Sequence, residues 1–274
     1  MKKKQITLKP LRPNIGIVRW YSSELKKLVR IMVKAVTIHV QNVYKRSEVG
    51  FTASQDEDIF TFEDVINQAR NVVQIYIDDN ISEITAKLVD KINLNSNISL
   101  TRSLRDVFTP ELGISGNILE DAMTAGVRLA CETSIIENVS LIQSIADDYF
   151  AKITGNVTRA INGGLSYSSL IDEFQKLQEQ TTRRAELIAT DQVHKAFTSI
   201  NLRRMDDAGI THWKWVHSGG GRNPRKWHVH LGQLDKVYTM DNPPIIDDKT
   251  GERGFPAQLV NCRCVLAPVV EIPE

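Results

Sequence analysis

The stretch TRRAELIATDQVHKAFTSINLRRMDDAGITHWKWVH, residues 182–217, decides the fold class. In its first part Ala185, Ile188, Ala189, Val193, Ala196, Phe197 and Ile200 recur at three- and four-residue spacing, the mark of a helix with one buried face. Gly209 then stands where a helix-ending glycine belongs. Beyond it the period changes, because Trp213, Trp215 and His217 alternate with His212, Lys214 and Val216 as on a strand. The fold class expected is therefore α+β: a mainly helical N-terminal two-thirds with long helices, followed by a small mixed α/β, loop-rich C-terminal domain.

Upstream, Leu25, Leu28, Val29, Met32, Val33, Val36, Val40 and Val43 predict a helix between Ser22 and Arg46. Thr61 and Asp64 resemble a capping pair before a second stripe of Phe62, Val65, Ile66, Ala69, Val72, Val73, Tyr76 and Ile77. The amide-rich run Asn93-Leu94-Asn95-Ser96-Asn97 reads as a turn between helical layers, since short polar side chains compete with helix hydrogen bonds. Further helices are expected at about 117–133 and 147–162, the latter stopping at Asn162-Gly163-Gly164. Ser168 or Ser169 then caps a short helix before the one beginning near Thr182. Segment 260–267 alternates like a strand, with Val260, Cys262, Cys264 and Leu266 on one face. Three divisions follow: a basic extended arm (1–21), a helical body (22–209) and a compact C-terminal module (210–274).

Composition excludes several classes. Three cysteines, Cys131, Cys262 and Cys264, are too few for a disulfide framework, and no signal-peptide-like segment follows Met1, so folding in a reducing cytosol is expected. The most apolar stretch, residues 28–43, is too short to cross a bilayer and carries Arg30, Lys34 and His39, so no membrane partner is expected. The whole chain carries a formal charge of +1, but residues 1–46 hold twelve Lys and Arg against one acid, Glu24. That segment is thus +11 and the rest about −10, an asymmetry that points to an anionic partner, nucleic acid or an acidic protein surface. A solvated arm that only aids solubility is the plainer alternative.

The C-terminal residues carry a resemblance. His217-Ser218-Gly219-Gly220-Gly221, Pro224-Arg225, His228, Phe255-Pro256 and Asn261-Cys262-Arg263-Cys264, in that order and spacing, resemble the phage Mu F-like minor head proteins, or phage head morphogenesis domain. Arg184-Ala185-Glu186-Leu187-Ile188-Ala189, Asp191-Gln192, the glycine turn at Gly163-Gly164 and Leu141-Ile142-Gln143-Ser144-Ile145 extend the similarity upstream, as does Arg12-Pro13-Asn14 with Gly16. Many relatives place an aspartate shortly before the arginine and histidine, where this chain has Gly219, Gly220, Gly221 and Asn223, and Ala257 stands where relatives often carry glycine. The resemblance implies a minor capsid protein of a tailed bacteriophage, in the virion head at or near the portal vertex and in the host cytoplasm during assembly. Its implied work is head morphogenesis and DNA packaging or delivery, with the portal protein, major capsid or scaffold protein and double-stranded DNA as partners.

The motif residues offer two chemistries. His228, Cys262 and Cys264 present imidazole and thiolate ligands, which His217 or His230 would complete as a tetrahedral zinc site. A single Cys-x-Cys lacks the paired two-residue spacing of common zinc folds, so the favoured reading has His228 bonded to a loop and the cysteines packed as small apolar groups. No cofactor is then expected, zinc being the alternative. Gly219, Gly220 and Gly221 with Arg222, Arg225 and Lys226 are suited to phosphate, as are Lys2, Lys3, Lys4, Lys9 and Arg12 of the arm, for contact with DNA or the portal. Nothing in the sequence assembles a nucleophile, base and orienting acid, so no catalytic residue is assigned and no enzyme is expected. The rival is a zinc- or thiol-dependent enzyme acting on nucleic acid or peptide.

Overall fold

The computed structural model describes residues 3–48, 62–105, 123–162, 167–219 and 223–273. Along the chain run β1 (Lys3–Thr7), α1 (Ile15–Glu48), α2 (Phe62–Arg105), α3 (Ala125–Asn162), α4 (Tyr167–Asp207), β2 (His212–Val216), α5 (Lys226–Gln233), β3 (Val237–Thr239) and β4 (Val265–Pro273). The fold is α+β, with long helices before residue 210 and a four-stranded sheet ordered β1-β4-β2-β3, its pairs all antiparallel. No helix among the described residues is long and apolar enough to cross a membrane.

The chain divides into two compact units, one of residues 1–19, 86–136 and 190–274 and one of residues 20–85 and 137–189. The second is helical. Tyr21, Leu25, Leu28, Val29, Met32, Val36 and Val40 of α1 are buried there, as are Val65, Ile66, Ala69, Val73, Ile77 and Ile81 of α2. Val72, expected in that stripe, faces outward at 48% exposure. Ile145, Tyr149, Phe150 and Ile153 of α3 and Phe174, Leu177 and Ala185 of α4 are buried in the same unit. Tyr21 donates its hydroxyl to Asn138 Oδ1 (2.8 Å), Arg70 lies over the Phe150 ring (5.3 Å), and Lys26 pairs with Glu186.

The first unit holds the sheet. β1 pairs with β4 from Lys3 opposite Pro273 to Thr7 opposite Val269, and the amides of Leu8 and Leu11 continue the alignment to the carbonyls of Pro268 and Leu266 (2.8 and 2.9 Å). Residues 1–21, expected as an extended arm, are thus extended only in part. Lys3 to Thr7 form an edge strand, on which lysines hinder pairing with another chain, and α1 already begins at Ile15. Asn14 sets that start: its side-chain oxygen accepts the Gly16 N–H (2.8 Å) and its carbonyl the Ile17 N–H (3.0 Å).

Three expected breaks are absent. The run Asn93–Asn97 does not break α2: Asn93 Oδ1 accepts from Arg204 (2.5 Å) and Asn95 Oδ1 from the Asn14 N–H (2.9 Å), while Asn97 Oδ1 is buried without a hydrogen-bond partner among the described residues. α3 is continuous from Ala125, Thr133 and Ser134 returning their hydroxyls to the carbonyls of Leu129 and Ala130 (both 2.8 Å). Residues 117–122 of the expected helix lie outside the described residues. α4 likewise runs unbroken from Tyr167 to Asp207, with Thr181 bonded back to Leu177 (2.8 Å). The helix end expected before Gly209, whose φ is 70°, is where α4 stops, and Asn162 is the last described residue of α3, the expected turn at Gly163-Gly164 lying outside the described residues.

Candidate metal centre and basic cleft

Pro224 and Arg225 lead into α5, which turns His228 and Leu231 inward. Arg225 caps the helix in extended backbone and donates its guanidinium to the Val260 carbonyl (2.9 Å), fastening the helix start to the turn before Cys262. Gly232 allows α5 to lie close to residue 217, since a Cβ there would stand 2.9 Å from His217 Cβ. Alternation along β2 buries Trp213 and Trp215, and the Trp215 ring meets the His228 ring edge-on at 5.0 Å.

Cys262 and Cys264, expected on a strand over 260–267, precede β4, which begins at Val265. They occupy a turn in which the Cys262 N–H reaches the Leu259 carbonyl (3.0 Å) and Asn261 adopts a left-handed φ of 64°. The turn by itself reproduces the alternation, burying Cys262 and Cys264 and exposing Arg263. Ala257 is also left-handed, φ 65°, a conformation that glycine adopts without strain.

Here three side chains distant in sequence converge. His228 Nε2 is 3.0 Å from the Ile246 carbonyl oxygen, to which it donates, so Nδ1 carries the free lone pair. That nitrogen faces Cys262 Sγ at 3.4 Å and Cys264 Sγ at 3.8 Å, and all three ligand atoms lie within 4.8 Å of one another. Each of the three residues is 3% exposed. The Ala257 N–H donates to Cys262 Sγ (3.3 Å), while the Ser218 amide acts as a donor toward Cys264. A bond from Cys264 holds the Cys262 thiol far below its ordinary value, to about 4, with His228 adding to the effect against the cost of burial. The same bond and burial push Cys264 up.

His217 and His230 stand outside this cluster: His217 Nδ1 accepts the Gly219 N–H (3.2 Å), and His230 is exposed beside Trp227, ring centres 5.3 Å apart. Sequence reasoning missed Asp191 as a support. It is buried in α4, pairs with Lys195 (3.3 Å) and accepts the Asn261 N–H (2.8 Å). Its ion pair was legible from the four-residue spacing; its reach to residue 261 was not.

The expected cationic residues separate. Lys9 and Arg12 line a cleft of about 420 Å³ with Pro10, Ser99, Arg102, Ser103 and Arg105. Ser103 donates to the Lys9 carbonyl (2.9 Å), so the N-terminal segment is tied along the last turns of α2. Arg102 and Arg105, both exposed, were not anticipated. Their signal is the basic last turn of a helix, which a turn at 93–97 would have placed elsewhere. Lys3 and Lys4 belong to β1, Arg225 and Lys226 to the start of α5, and Lys2, Gly220, Gly221 and Arg222 lie outside the described residues.

The chain is 25% identical over 278 residues to an uncharacterized protein of Haemophilus influenzae, a match that covers 97% of this chain and 56% of the relative, so the chain spans little more than half that protein's length. No solved structure matches. Residues 151–267 match the family described as phage Mu protein F like protein. That stretch contains all of α4, β2, α5 and β3 together with His228, Cys262 and Cys264, and over it the chain is similar to the phage Mu protein F like family.

Proposed function

We propose that this protein is a minor head protein of a tailed bacteriophage, sited at the portal vertex or inside the head, that acts in head morphogenesis and in DNA packaging or delivery by binding and not by catalysis. The match of residues 151–267 to the phage Mu protein F like family supports the broad role. The single observation that carries the finer reading is the cleft in which Lys9, Arg12, Arg102 and Arg105 converge, with no carboxylate among the described residues lining it. Such a grouping suits phosphate oxygens, which position a protein on a duplex without reading its sequence.

The thiol-enzyme reading is the weaker one. Cys262 and His228 have the elements of a nucleophile and base, but both are 3% exposed, and among the described residues a sulfur so enclosed offers a substrate carbonyl or phosphorus no approach. Binding, and not turnover, is what this geometry suits.

The test is binding of the full chain to short duplex DNA across a salt series. Affinity is expected to fall steeply with salt, and the paired change Arg12→Glu and Arg102→Glu is expected to weaken binding and flatten the log–log slope by about 2, one counterion per lost phosphate contact. Unchanged affinity and slope overturn the DNA contact and turn attention to an acidic portal surface. Absence of the protein from mature particles and from assembly intermediates overturns the head role itself.

A further inference from the structure

We infer that His228 Nδ1, Cys262 Sγ and Cys264 Sγ bind a thiophilic divalent cation of the zinc type, as a structural centre that joins α5 to the turn entering β4. This inference is independent of the DNA contact proposed above.

The spacing fits. Sulfur at about 2.3 Å and imidazole nitrogen at about 2.0 Å from a tetrahedral ion stand about 3.5 Å from each other. The two sulfurs are 3.4 and 3.8 Å from Nδ1, values on either side of that separation, and all three ligand atoms lie within 4.8 Å of one another, so a cation enters once the sulfurs draw in toward the about 3.8 Å that two thiolates keep on a tetrahedral ion.

The surroundings fit as well. A histidine ligand ordinarily gives its other ring N–H to a carbonyl or carboxylate, which fixes the tautomer and aims the lone pair, and Ile246 O does this for His228. Thiolate ligands need donors, and both sulfurs have one, Cys262 in the Ala257 amide and Cys264 in the Ser218 amide. The Trp215 indole nitrogen is buried without a hydrogen-bond partner among the described residues, and a charged sulfur at Cys264 would give it one. Two thiolates and an imidazole select zinc over magnesium or calcium, whose ligands are oxygens.

The fold gives the ion a purpose. Between β3 and β4 the backbone forms one isolated bridge, Ile245 with Arg253, and otherwise turns. Such a segment buries little regular hydrogen bonding of its own, and a small loop-rich region is where a metal contributes most to folding. Ile246, which orients His228, belongs to this segment, so the ion would hold α5, the loop and the β4 entry in one cluster.

The test uses the full chain produced with zinc in the medium, its metal content measured after gel filtration and its cobalt(II) form examined by absorption. Expected are about one zinc per chain and, with cobalt, the near-ultraviolet thiolate charge-transfer and visible bands of a tetrahedral ion. Cys262→Ser and Cys264→Ser are each expected to weaken zinc by more than the roughly 10- to 100-fold that loss of an outer partner costs. Cys131→Ser, a buried cysteine outside the cluster, is expected to leave content and spectrum unchanged. The wild-type reading decides even if the serine variants fail to fold. Absence of zinc and of cobalt–thiolate bands in folded wild type overturns the proposal, and so does full metal content in a folded His228→Ala, Cys262→Ser, Cys264→Ser triple variant.

Discussion

Asp191 Oδ1, on α4, accepts the backbone N–H of Asn261 at 2.8 Å, so a helix carboxylate fixes a left-handed residue immediately before Cys262. The carboxylate is itself buried and pairs with Lys195. Asp191→Ala removes the acceptor from the turn and the counter-charge from Lys195 together, and is expected to cost about 2–3 kcal/mol in urea unfolding. Asp191→Asn keeps an acceptor and should cost about 1 kcal/mol less. Equal losses in the two variants would show that charge, and not the bond to Asn261, is what matters.

Gly232 sits where α5 passes His217. A methyl group there meets His217 Cβ at 2.9 Å and its backbone nitrogen at 3.1 Å, and backbone cannot swing aside as the end of a long side chain can. Gly232→Ala is expected to destabilise the protein by about 1–3 kcal/mol, the cost of overpacking, although alanine favours helix. A neutral or raised melting temperature would show that α5 moves freely against residue 217.

What was legible in the sequence divides along physical lines. Periodicity reports burial, so the α1 stripe from Leu25 to Val40 and the alternation of Trp213 and Trp215 could be read directly. Local chemistry misled where a distant partner intervened: nothing near Asn93 or Asn95 announces Arg204 or Asn14, 111 and 81 residues away, yet these partners keep the amides within a helix. The same holds for the site. His228, Cys262 and Cys264 were recognisable as ligand types, but their convergence depends on contacts spanning 34 and 36 residues. Arg102 and Arg105 escaped notice because their role rests on where α2 ends and on the N-terminal segment lying beside it.

Tyr21 and Asn138 form a polar contact inside the helical unit, both 0% exposed. Burial raises the Tyr21 phenol well above its ordinary value, so it stays protonated and acts as a donor. Tyr21→Phe deletes that donor while preserving the ring's volume and is expected to cost about 1–2 kcal/mol. A double-mutant cycle with Asn138→Ala should return a coupling of about 1 kcal/mol, and a coupling near zero would assign the loss to packing.

Asp148 offers a contrast in magnitude. Its Oδ2 accepts from Lys152 (3.1 Å) and Arg184, whose other nitrogen reaches Ser144 (3.1 Å). The hydrogen bond from Lys152, joined by the charges of Arg184 and Lys152, lowers its carboxyl below the ordinary aspartate value against a desolvation cost larger than the Arg184 charge alone. A carboxyl lowered in the folded state contributes stability that is fully present above its unfolded value, about 3.9, and is lost as pH falls through the folded value. The side chain is 43% exposed, so solvent screening holds the contribution below about 1 kcal/mol. Asp148→Asn is accordingly expected to lower stability slightly at pH 7, less so in 1 M salt, and to match the parent protein once pH lies below the folded value. A loss of several kcal/mol at pH 7, persisting in high salt, would mean that the Arg184 bridge is a buried constraint and not a surface pair.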